Sequence, residues 1–173
     1  DPWIGIPDED LAMHLHEKQG VPPTPNELLD RKRVTYRAAV VAGRLATFPG
    51  LKDGLLRLRS LGLPLAAASN SRIATVRLCL EKAGLLELLH AVVGVDDVRE
   101  GKPAPDLFLE AAQRIRLPAC SCVAVEDSPT GIASAKAAGC RVLAVTTTHK
   151  REQLAAADAI YASPAEAIAA LLG

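Results

Sequence analysis

Aromatic side chains are scarce: one tryptophan, two tyrosines and two phenylalanines make up 3% of 173 residues. An interior with so few rings must be filled by Ala, Leu, Val and Ile. Apolar residues reach 49% of the chain, and such filling suits a sheet covered by helices. Net charge is lacking too, because 20 basic and 20 acidic residues cancel to zero. No field then exists to hold a polyanion or an anionic membrane, which argues against nucleic acid as a partner. No apolar run is long enough to cross a bilayer. The start Asp1-Pro2-Trp3 has neither the basic residues nor the apolar stretch of a secretory signal, so a soluble, cytoplasmic protein with no membrane partner is expected. The four cysteines, Cys79, Cys120, Cys122 and Cys140, sit in apolar, strand-like or helix-like surroundings. Cys120-x-Cys122 lacks the second pair or nearby His that structural zinc requires, so all four are expected to be reduced thiols.

From Leu51 onward, strand-like apolar runs alternate with helical patterns, with glycines at the joins. Strands are expected over Leu63 to Ala68, Ala91 to Val95, Ser121 to Val125, Arg141 to Val145 and Ala159 to Tyr161. Helices are expected over Leu51 to Ser60, Ser71 to Ala83, Asp106 to Ile115, Pro129 to Ala138, Lys150 to Ala157, and from the Ser163-Pro164-Ala165-Glu166 cap to the end. This alternation predicts an α/β fold, a doubly wound and mostly parallel sheet with helices on both faces. Residues 1–47 read differently, as a small helical unit. Asp8-Glu9-Asp10 opens one helix, and Thr24-Pro25-Asn26-Glu27 opens a second with a capping box, its Leu28, Leu29 and Val34 near one face on the way to Val41. Phe48-Pro49-Gly50 leads into the α/β part, 48–173.

Three stretches carry chemistry. Ser69-Asn70-Ser71 follows Leu65-Ala66-Ala67-Ala68; Lys102 lies in Gly101-Lys102-Pro103-Ala104-Pro105-Asp106; Glu126-Asp127 follows Cys122-Val123-Ala124-Val125 and precedes Ser128-Pro129-Thr130-Gly131. Parallel sheets bind ligands beyond the carboxyl ends of their strands, so Ser69 and the carboxylate pair should face one crevice. A hydroxyl, a cation and two carboxylates suit a phosphate and a divalent metal. Singly, each has a plainer reading: Ser and Asn cap helices, a turn lysine is solvated, and acidic residues favour a first helical turn. Two adjacent carboxylates after a buried strand are the strongest signal, being costly unless paired or metal-bound.

Order and context together resemble the second, third and fourth motifs of the haloacid dehalogenase-like superfamily, in its phosphatase and β-phosphoglucomutase-like branch. The resemblance implies that Ser69 donates to a phosphoryl oxygen with the Asn70 amide beside it. It implies that Lys102 pairs with the phosphate and the nucleophile, and that Asp127 ligates Mg²⁺ with Glu126 acting mainly through bound water. Residues 1–47 then correspond to part of a helical cap, which puts Asp8 and Lys32 among substrate-facing candidates. β-Phosphoglucomutases carry an arginine in that loop, where this chain has Asp8, so a monophosphatase acting on a small phosphorylated metabolite such as a sugar phosphate is expected. The family's first motif, an Asp-x-Asp that accepts the phosphoryl group, is not matched. Asp8-x-Asp10 follows Gly-Ile-Pro and leads into Leu-Ala-Met, as a helix start does. In the family that motif ends a central strand between those ending at Ser69 and Glu126. An upstream segment or a second chain is therefore expected to complete the sheet. A noncatalytic binding or scaffolding remnant and a β-phosphoglucomutase-like mutase remain alternative readings.

Overall fold

A computed structural model of the chain describes residues 8–173, and side chains from residue 11 onward. Two compact units emerge, Asp1–Leu45 and Ala46–Gly173. In the first, α1 (Asp8–Gln19) packs against α2 (Pro25–Val41). The Thr24 capping box forms: the Thr24 main-chain N–H donates to Glu27 Oε2 at 2.7 Å, and the Glu27 N–H donates back to Thr24 Oγ1 at 3.4 Å. Thr24's hydrogen bonds hold the Glu27 carboxyl below the ordinary glutamate range. Only Leu29 and Val40 of α2 are buried, whereas Val34, expected near the packed face, is 69% exposed.

The second unit contains five strands, all paired in parallel. β1 (Ala66–Ala68) pairs with β2 (Ala91–Val93), and β3 (Val123–Glu126), β4 (Arg141–Val145) and β5 (Ala159–Tyr161) follow in that order in a separate sheet. β1 and β3 are not paired with each other, so the strands form two parallel sheets. β4 is covered on both faces. Val142 and Ala144 pack with Ile132 and Ala135 of α6 (Pro129–Ala137), while Leu143 and Val145 pack with Ala167 of α7 (Pro164–Leu172). Period-2 alternation with a helix on each side explains why all four residues are buried. α5 (Asp106–Arg114) serves both sheets: Leu107 and Ala111 meet Val93, Ala66 and Ala68, while Phe108 packs against the Ala124 and Ile132 cluster. α3 (Leu51–Ser60) lies on α7, and a Cβ on its Gly54 would come within 3.0 Å of Ile168, so the small residue permits the close crossing. α4 (Ile73–Lys82) packs on β2.

Three elements are shorter than their sequence pattern. β1 begins only at Ala66, because Pro64 has no N–H and Leu65 is held by His90: its N–H donates to Nδ1 at 3.0 Å and its carbonyl accepts the His90 N–H at 2.7 Å. β2 ends at Val93, and Val95–Asp97 winds into a 3₁₀ turn. The helix expected over Lys150 to Ala157 is one 3₁₀ turn, Arg151–Leu154, whose Leu154 is fully buried. The chain must then reach β4 at once, as Asp158 N–H donates to Val142 carbonyl at 2.8 Å, so sheet pairing overrides the alanines' helical preference.

Asp158 also joins β4 to α6: one carboxylate oxygen accepts from Lys136 Nζ at 2.5 Å and the other from the Val142 N–H at 2.7 Å. The Lys136 hydrogen bond, then that of Val142, holds the carboxyl below its ordinary range. A group depressed in the folded state stabilises above its unfolded pKa and loses that contribution as pH falls through the folded value. Urea midpoints of the protein and of Asp158→Asn should therefore differ at neutral pH and converge under acid; a gap undiminished by acid would contradict the linkage.

Candidate active site

The carboxyl ends of β1 and β3 are tied together by side chains from three loops. Asn70, one residue past Ser69, clamps the backbone of Lys102: its Oδ1 accepts the Lys102 N–H at 2.8 Å, and its Nδ2 donates to the Lys102 carbonyl at 3.3 Å. A Cβ on Gly101 would lie 2.7 Å from Asn70 Oδ1, so glycine is what lets the clamp close. Ser69 Oγ accepts the Ser71 N–H at 3.1 Å. Lys102 then reaches across to Glu126, the last residue of β3. Its Nζ forms an ion pair with Glu126 Oε1 and sits 4.9 Å from the centroid of the Phe108 ring. Both side chains of the pair are nearly excluded from solvent, at 11% and 8% exposure.

The lysine loop is anchored from below, where the fully buried Ser134 of α6 donates to the Ala104 carbonyl at 2.5 Å. Ser128 caps α6 by accepting the Gly131 N–H at 3.1 Å, with Pro129 in the first turn. Asp127 is held through its backbone: its carbonyl accepts from Thr148 Oγ1 at 2.8 Å and from His149 Nδ1 at 2.9 Å, which requires the Nδ1-protonated imidazole. Thr147 Oγ1 lies 3.5 Å from Asp127 Oδ2, a long contact that leaves most of the carboxylate's acceptor capacity open. On the β2 side, Asp96 Oδ1 accepts the Ile73 N–H at 2.7 Å, joining that loop to the start of α4.

Of the residues singled out from sequence, Asn70, Lys102 and Glu126 are in direct contact, with Ser69 and Asp127 as their chain neighbours. Glu126, expected as a water-mediated metal residue, is engaged by Lys102. Lys32 lies on α2 in the helical unit. Asp8 opens α1, and its side chain is outside the described residues. Ser134 carried no sequence signal, since it acts through a long-range contact that a linear pattern does not display. Mg²⁺ finds one available carboxylate here, Asp127. Among the described residues no group of three His, Cys, Asp or Glu side chains is placed to hold a metal ion. An octahedral ion needs more oxygen than this, so the described residues do not by themselves make a magnesium site.

Gly131 has a specific reason to be glycine, because a Cβ there would collide with the Glu126 carboxylate, reaching Oε1 at 2.8 Å and other atoms of the group more closely still. Gly131→Ala should lower the thermal midpoint despite a helix-propensity gain of about 1 kcal/mol. In a Glu126→Ala background the same change should be neutral or stabilising. A raised midpoint in the otherwise unchanged protein would contradict the steric account.

Comparison with known proteins agrees with this geometry. Residues 7–139 match the haloacid dehalogenase-like hydrolase family. The protein CbbY of Rhodobacter capsulatus is 33% identical over 87% of this chain and 69% of its own length. The bifunctional riboflavin kinase/FMN phosphatase of Arabidopsis thaliana is 37% identical over 75% of this chain, which spans only 33% of that protein. The crystal structure of CbbY from Rhodobacter sphaeroides in complex with phosphate superposes with a TM-score of 0.80 at 27% identity, covering 92% of this chain and 73% of that one. With a family match across most of its length, and with the fold and strand-end loops that the family's motifs require, the chain belongs to the haloacid dehalogenase-like hydrolases.

Proposed function

We propose that this chain is the phosphate-handling part of a phosphatase acting on a small phosphorylated metabolite, a sugar phosphate in class. The observation that carries the reading is Lys102, a nearly buried ammonium whose backbone is clamped by Asn70 at the ends of two parallel strands. Phosphoryl transfer asks mainly for positioning and for neutralisation of the charge on the outer oxygens. Ser69 Oγ and the Asn70 N–H are assigned as donors to those oxygens. Lys102 supplies the cation, exchanging part of its pairing with Glu126 for the incoming anion. Buried between Phe108 and Glu126, it does so with little solvent screening. Haloacid dehalogenase-like phosphatases are generally Mg²⁺-dependent; Asp127 is the one carboxylate offered to such an ion here, and no step is assigned to the ion. Asp8 and Lys32 are assigned to substrate selection in the helical unit, which we read as a partial cap over residues 1–47. Relatives with sugar phosphates as substrates support the class: hexitol phosphatase A of Escherichia coli is 28% identical over 92% of this chain.

The phosphoryl-accepting carboxylate is not among these residues, since no Asp-x-Asp in the sequence follows an apolar strand. A second reading, a noncatalytic binding module, is favoured by the closure of Lys102 onto Glu126. The two readings part on anion binding and turnover. Titration with inorganic phosphate should shift the backbone amide resonances of Ser69, Asn70 and Ser71, and Lys102→Ala should weaken that binding by about tenfold or more. Shifts that survive Lys102→Ala unchanged would overturn the site assignment. Residues 1–173 alone should release no phosphate from p-nitrophenyl phosphate, because covalent catalysis without its acceptor leaves only binding and electrostatics; turnover abolished by Lys102→Ala would refute this. Calorimetry should find no tight Mg²⁺ binding to the isolated chain, and micromolar affinity would show that Asp127 has partners the described residues do not supply.

A further inference from the structure

Three of the four cysteines gather at the amino ends of β3 and β4, a part of the fold that phosphate handling leaves unused. Cys122 directly precedes β3, Cys140 directly precedes β4, and both are free thiols. The two strands are in register from Val123 opposite Arg141 onward, and the ladder reaches one step further back, since the Arg141 N–H donates to the Cys122 carbonyl at 3.2 Å. Cys122 and Cys140 are therefore cross-strand neighbours. Residues two apart on a strand share a face. Ala124 and Val142 pack with α6 in one apolar cluster, and Cys122 and Cys140, two residues before them, belong to the same cluster. Both thiols thus lie on the α6 face of strands spaced about 4.8 Å apart, within the roughly 4.4 to 6.8 Å that a disulfide spans between Cα atoms.

Cys120 sits in the 3₁₀ turn Ala119–Ser121 that leads into β3, and it is an exposed free thiol. Cys122 Sγ donates to the Pro118 carbonyl at 3.5 Å, which lays that sulfur against the turn that carries Cys120. Exposure falls along the row: Cys120 is exposed, Cys122 is half-buried and Cys140 is 5% exposed. Burial pushes the Cys122 thiol up, with Cys120 adding to the effect, and burial pushes the Cys140 thiol up, with Cys122 and then Cys120 adding. The two inner thiols are thereby held protonated, and a dissolved oxidant meets Cys120 first. Among the described residues no group of three His, Cys, Asp or Glu side chains is placed to hold a metal ion, so the chemistry of this row is that of thiols.

We propose that Cys120, Cys122 and Cys140 form a peroxide-responsive thiol relay that ends in a disulfide between Cys122 and Cys140, stapling the amino ends of β3 and β4. The oxidant is hydrogen peroxide. The Cys120 thiolate attacks one peroxide oxygen, the O–O bond breaks, hydroxide leaves and Cys120 becomes a sulfenic acid. The Cys122 thiolate then attacks the Cys120 sulfur and displaces a second hydroxide, forming a disulfide between these two. Cys140 attacks the Cys122 sulfur in turn and releases Cys120 as a thiolate. The protons given up by Cys122 and Cys140 neutralise the two hydroxides, so one peroxide and two thiols yield one disulfide and two waters. β3 leads into Asp127 and β4 into Thr147 and Thr148, so the staple acts on these strands from the end opposite the candidate site. The inference rests on the placement of the thiols alone, so its failure leaves the phosphate assignment standing, and the converse also holds.

Mass spectrometry of the whole chain tests it. Trypsin leaves Cys120 and Cys122 in the peptide 117–136 and Cys140 in the peptide 137–141. After treatment with hydrogen peroxide and alkylation of the remaining thiols, the monomer should yield the two peptides joined through Cys122 and Cys140, with Cys120 alkylated, and dithiothreitol should part them. Cys122→Ala should let dimedone label Cys120 as the sulfenic acid. Cys120→Ser should slow the link by about tenfold or more, because burial keeps the other two thiols protonated. An end product joining Cys120 to Cys122, oxidation of Cys120 to the sulfinic acid without any link, or a link that forms at an unchanged rate in Cys120→Ser would overturn the proposal.

Discussion

The buried ion pair between Lys102 and Glu126 is the contact on which the arrangement of this molecule turns. Removing two charges from water costs several kcal/mol per ion, and the loss is recovered only where geometry and further hydrogen bonds are good. The surroundings read as a list of what that demands. Asn70 fixes the lysine backbone from β1, Ser134 fixes the following loop from α6, Phe108 lies along the ammonium, and Gly131 leaves the carboxylate its room. Loops after β1 and β2, the end of β3 and the first turn of α6 are thereby brought to one place. The pair also sets the local electrostatics, since a cation nearly excluded from water beside a carboxylate is little screened by solvent.

Much of this was legible in the sequence where the signal is local. The Thr24 capping box and the Ser163-Pro164 helix start formed as their spacing implies. β4 reads as a continuous apolar run because helices cover both its faces. Ser69, Lys102 and Glu126-Asp127 stood out because polar residues at the ends of apolar strands are unusual. What could not be read is what depends on distant partners. Val34 fits an apolar helical stripe, yet it is 69% exposed; the 150–157 segment is a short turn because Asp158 must reach Val142. Glu126 looked like half of a metal site, and only three-dimensional contact shows its carboxylate engaged by Lys102.

Edges and centre also behave differently. Arg114 and Arg151, far apart in sequence, do one job at opposite ends of the second unit, closing the outward carbonyls of β2 and β5. On the inner edge of β3, by contrast, Val123 and Val125 are 40% and 39% exposed. Ser69 and Asn70 follow β1 directly, and Asp127 follows β3.

The most direct test of the phosphate-handling claim is the crystal structure of this chain soaked with tungstate, a phosphate-shaped anion that anomalous scattering locates. The account predicts the anion against Ser69 Oγ, the Asn70 N–H and Lys102 Nζ, with the ammonium drawn partly off Glu126. An anion bound elsewhere, with Lys102 still closed on Glu126, would contradict it.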